Sequence, residues 1–113
     1  MQDLTKGARR AIRNLAGIAY ERELSRELTK LERRFADWRG GRIDPFELNE
    51  AIHKHHDGVS RELFNRHSHG SMLDHVVATA ILEGTIQEAE VPDAVREYLM
   101  QLVARYRQVA SDE

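Results

Sequence analysis

Six histidines make up the whole imidazole complement of the chain, and all lie between residues 53 and 75: His53, His55, His56, His67, His69 and His75. Histidine is the commonest metal ligand and the one side chain whose unperturbed charge change falls between pH 5 and 8. Glu50, His53 and Asp57 stand three and four positions apart, with His56 beside them, so on a helix they share a face. A carboxylate and an imidazole three apart form the Glu-x-x-His pair of di-iron bundles. Glu50, His53, His56 and Asp57 are therefore candidate ligands for a divalent metal, and Arg61 is a further polar candidate. Only one such pair occurs, so a dinuclear centre needs a twin subunit or scattered acids such as Glu83 or Glu97, which no spacing supports. The local alternative is hydrogen bonding of His53 with Asp57 and of Asp57 with Arg61, each worth a few tenths of a kcal/mol. That alternative is preferred, and no cofactor is expected.

The doublet His56-Asp57 resembles the metal-binding pair of the HD phosphohydrolases, but no histidine precedes His53 to supply their first ligand. His67, His69, Asp74 and His75 look superficially like the ligand run of metallo-β-lactamase-type hydrolases, with the wrong spacing and the wrong structural class. None of Ser25, Ser60, Ser68, Ser71 and Ser111 sits in a Gly-x-Ser-x-Gly turn, and no glycine-rich phosphate loop occurs. With no cysteine there is no disulfide, thiolate zinc site or thiol nucleophile. The chain carries no reaction signature, and a non-enzymatic protein is expected.

Charge narrows the choice of partner. The net charge is -2, yet residues 1–42 carry eleven Lys or Arg against six acids and residues 43–113 carry six against thirteen. Complementary helix faces account for such halves. Lys6, Arg9, Arg10 and Arg13 could meet phosphates. Glutamates interleaved from Glu21 onward, and the lack of a helix-turn-helix pattern or an aromatic platform, weigh against nucleic acid.

These residues must be positioned by helices. A chain of 113 residues, 41% hydrophobic and 32% charged, has the size and composition of one folded domain. No secretory leader or membrane-spanning stretch is read, and a cytoplasmic location is the default. Leu24, Leu28, Leu31, Phe35 and Trp38 step by four, three, four and three, which predicts one buried face of a long helix. Upstream, Leu4, Ala8, Ala11, Ile12, Leu15, Ile18 and Ala19 are also helically spaced. The phase shifts between Ala19 and Leu24, so either one helix bends there or two helices meet.

Gly40-Gly41 ends this element. Asp44, Pro45 and Glu47 form a capping box that starts a second helix at Pro45, with Ile43 and Leu48 as a hydrophobic staple. Leu48, Ile52, Val59 and Leu63 hold one face across Gly58, which favours a bent continuation over a stop, and His55 falls on the apolar side. Ser71 with Asp74 suggests the start of a third helix running to Gly84, and Thr85 with Glu88 a short turn. Pro92 opens a last helix whose Val95, Leu99, Leu102, Val103, Tyr106 and Val109 should face inward. No strand pattern appears. The expected fold is all-α, a small helical bundle with a long N-terminal helix and three or four further helices, in one domain over residues 1–113.

Residues 19–64 resemble a family of small, mostly bacterial helical proteins, with a weaker echo in EGTIQEAEVPDAVREYL. The residues that carry the likeness are Trp38, Gly41, Ile43, Ile52, His53, His56, Gly58, Arg61, Glu62 and Leu63, a Trp-x-x-Gly-x-Ile start followed by Ile-His, a second His, Gly and Arg-Glu-Leu. The resemblance implies no activity, substrate or cofactor. It directs attention to His53, His56 and Arg61. A long amphipathic helix on so small a body often finds a twin, so a homodimer acting by protein–protein interaction is expected.

Overall fold

A computed structural model describes residues 4–68 and 72–112 of the chain, and no strand occurs among them. The order is α1 (Lys6–Arg39), α2 (Pro45–Lys54), a π-helical turn (His55–Ser60), α3 (Arg61–Ser68), α4 (Leu73–Leu82), a 3-10 turn (Glu88–Glu90) and α5 (Asp93–Asp112). The all-α fold with a long first helix follows the hydrophobic periods of the sequence. No helix among the described residues is long and apolar enough to cross a membrane.

α1 is one uninterrupted helix of 34 residues, which settles the choice between a bent helix and two helices. Its apolar repeat nevertheless breaks phase between Ala19 and Leu24, and the chain divides at the same place. Residues 1–20 and 67–113 form one compact unit and residues 21–66 another.

The first unit holds a core built from the start of α1, from α4, from the connection between α4 and α5, and from α5. Ile12, Val77, Ile86, Val91, Val95, Leu99 and Val103 are its largest fully buried side chains. Burying each aliphatic side chain contributes about 1.5–3 kcal/mol, an upper estimate. Tyr106 is half-buried against this core. Val109, expected to face inward, is exposed, because it lies in the last turns of α5, beyond the stretch that packs on the core.

α4 ends in a Schellman motif. The Gly84 N–H donates to Ile81 O and the Thr85 N–H to Ala80 O at 2.8 Å, with Gly84 at φ 81°, the left-handed conformation glycine adopts without penalty. The short turn that follows is capped by Gln87 and Glu90, whose Oε2 accepts from Gln87 N at 2.8 Å, and not by Thr85 and Glu88. Thr85 is instead buried. Ser71 lies outside the described residues, and α4 begins without a side-chain cap.

The second unit contains the rest of α1 and the helical run from Pro45. A second Schellman motif closes α1: Gly41 N–H donates to Trp38 O and Arg42 N–H to Asp37 O, with Gly41 at φ 75°. Glu47 N then donates to Asp44 Oδ1 at 2.7 Å while Asp44 N donates to Glu47 Oε1 at 3.4 Å, the expected capping box.

The run continues through Gly58, as the apolar face implied, but by a π turn. Leu63 lies fifteen positions after Leu48, and regular α winding would leave them about 60° apart around the axis. A π turn is wound more loosely and takes up the excess, and both side chains are buried.

They are the only buried apolar residues described in this unit. The stripe from Leu24 to Trp38, expected to be buried, is covered only in part. Leu24, Leu31 and Phe35 are half-buried, while Leu28 and Trp38 are 47% and 40% exposed. The unit offers this helix a single helical run as partner, which shields one side of the stripe and leaves its flank open.

Candidate functional site

The histidine segment is spread along α2 and the π turn. His53, His56, Glu50 and Asp57 are exposed. Glu50 pairs with Lys54 at 3.9 Å and Asp57 with Arg61 at 3.8 Å, both one helical turn apart. Among the described residues, no group of three or more histidine, aspartate or glutamate side chains is placed to share a metal ion. The four candidate ligands are thus exposed without three of them being grouped around one point, and the two carboxylates lie near cations. His55 is half-buried and lines a groove with Leu31, Ala51 and Val59, on the apolar side that its position implied. Lys30, Arg34 and Lys54 edge the same groove. His69 lies outside the described residues. His67 stacks on Tyr20 with ring centroids 4.8 Å apart.

A polar cluster that the spacing did not reveal lies between α4 and α5. Asp74 is only 3% exposed. Its Oδ2 accepts from the Tyr98 hydroxyl at 2.6 Å, and its Oδ1 accepts from His75 N at 3.0 Å. A buried carboxylate is costly without partners, and here both oxygens have one. Tyr98 is held in its neutral form: its hydrogen bond to Asp74, then burial, then the Asp74 charge push its pKa up to about 12. The His75 ring hydrogen-bonds through Nδ1 to the Tyr106 hydroxyl and meets that ring edge-on. His75 Nε2 stands 4.0 Å from Asp74 Oδ1, beyond hydrogen-bond reach, so no Asp–His dyad is formed. The cluster ties α4 to α5 at two points and presents no aligned nucleophile and base.

A signal for it did exist. Asp74, Val77, Ala78 and Ile81 are spaced three, one and three apart, so the carboxylate occupies a core position of an amphipathic stripe. A charge there requires a buried donor, and the phenols of α5 supply one.

The third feature is apolar. Leu28, Leu31, Glu32, Phe35, Ala36 and Arg39 line a groove along one side of α1. Elsewhere in the same unit Phe46 is 84% exposed and Phe64 58%. Lys6, Arg9, Arg10 and Arg13 are exposed at the opening of α1, where Arg9 Nε donates to Leu4 O. No family model, curated protein or solved structure matches the chain.

Proposed function

We propose that this is a non-enzymatic helical protein that acts by protein–protein association, with homodimer formation as its first expression. The supporting observation lies in residues 21–66, where Leu28, Leu31 and Phe35 line an open groove along α1 and Leu28, Trp38, Phe46, Ile52 and Phe64 are individually exposed, while Leu48 and Leu63 are the buried apolar side chains described there. A contiguous exposed apolar strip, as the groove on α1 forms, marks an interaction site. A helical unit of 46 residues with so small a core gains stability from a partner. The lack of cysteine suits the cytoplasm, where we place the protein. The test is the light-scattering mass of the full chain between roughly 1 and 100 µM, a range in which weak dimers form. It should rise from 13.0 kDa towards about twice that value. A constant monomer mass overturns the reading.

A further inference from the structure

We propose that the groove on α1 receives a second copy of the chain, with the two α1 helices antiparallel about a two-fold axis. This rests on the association reading above and adds its partner and geometry. The groove carries one acid and one base, Glu32 and Arg39, seven residues and about 10.5 Å apart along the helix. Lys30 pairs with Glu27 at 2.9 Å on the same helix, and Arg34 and, just beyond the helix end, Arg42 both pair with Asp37. Glu32 and Arg39 have no ion-pair partner among the described residues.

A two-fold interface is self-complementary, so any contact of one residue with another is made twice. Antiparallel pairing centred between Phe35 and Ala36 sets Glu32 against Arg39 of the partner subunit and Arg39 against Glu32 of the partner subunit. It also lays the large ring of Phe35 over the small side chain at Ala36 of the partner subunit. Parallel pairing in register would place Glu32 against its own copy and Arg39 against its own copy, which is repulsive.

Residues 21–66 contain ten Lys or Arg and ten Asp or Glu, so no net charge opposes the approach of an identical unit. A strongly acidic or basic partner would find no surplus of opposite sign. The apolar lining comes from a single flank of one helix, less than the ~800 Å² per partner of a standard interface, so the dimer exchanges with monomer and is not obligate.

The experiment is sedimentation equilibrium on the full chain and on three variants, Glu32→Arg, Arg39→Glu and the double reversal, with helix content checked by circular dichroism. Each single reversal creates two like-charge contacts per dimer and should weaken self-association by about tenfold or more. The double reversal should restore it. An equimolar mixture of the two single variants should associate as well as wild type, because each then meets its complement. Single variants that dimerise like wild type, or a double reversal and mixture that fail to recover, overturn the pairing while leaving the association reading intact. A wild-type chain that stays monomeric overturns both.

Discussion

Residue by residue, the most consequential side chain is Asp74. Its carboxylate is buried and its Oδ2 depends on the Tyr98 hydroxyl. Tyr98→Phe removes that donor and leaves a buried charged oxygen short of a partner, which should cost about 1.5–3 kcal/mol in urea unfolding. Asp74→Leu combined with Tyr98→Phe removes both groups, and should cost less than the sum of the single changes. The same pair predicts alkaline behaviour. Tyr98 has a folded pKa of about 12 against an ordinary value of 10.0, so its contribution is complete below pH 10 and is lost as pH rises towards 12. Melting temperature should fall over that window in wild type, and less steeply in Tyr98→Phe. Composition and spacing could not show this pair, because a hydrogen bond between residues 24 apart in sequence depends on which faces of α4 and α5 meet.

The helices were largely legible in the residues that start and stop them. Asp44, Pro45 and Glu47 mark the start of α2, and Gly41 and Gly84 stand at the two left-handed positions where α1 and α4 close. Signals of this kind act within a few residues and are independent of the rest of the chain. Less legible was the passage through Gly58, where the apolar positions from Leu48 to Leu63 show continuation but the π winding is an adjustment to packing. The buried leucine stripe was misjudged for a related reason: periodicity reports which side of α1 is apolar, and burial depends on how many elements arrive to cover it. Two glycine substitutions separate these effects. Gly17 lies within α1, and a Cβ added there meets nothing within 4 Å, so Gly17→Ala should stabilise the protein by about 0.5–1 kcal/mol. Gly84→Ala forces a side chain into φ 81° and should destabilise it by about 1 kcal/mol. Thermal unfolding of both variants checks the signs.

At the scale of the molecule, the two units differ in what they bury. Residues 1–20 and 67–113 enclose a continuous apolar core, whereas among the described residues 21–66 Leu48 and Leu63 are the only buried apolar side chains. Local stability follows buried apolar contact, so amides of α4 and α5 should exchange slowly and those of residues 21–66 faster. The candidate ligands Glu50, His53, His56 and Asp57 were chosen by α-helical spacing, which the π turn at His55–Ser60 interrupts, and they lie exposed in this less buried unit. Its apolar flank is the feature that association would cover. The direct test is amide hydrogen exchange of the full chain at low and at high protein concentration. Slower exchange in residues 28–39 at high concentration, with α5 unchanged, is the predicted result. Identical exchange at both concentrations, or slowing confined to α5, contradicts it.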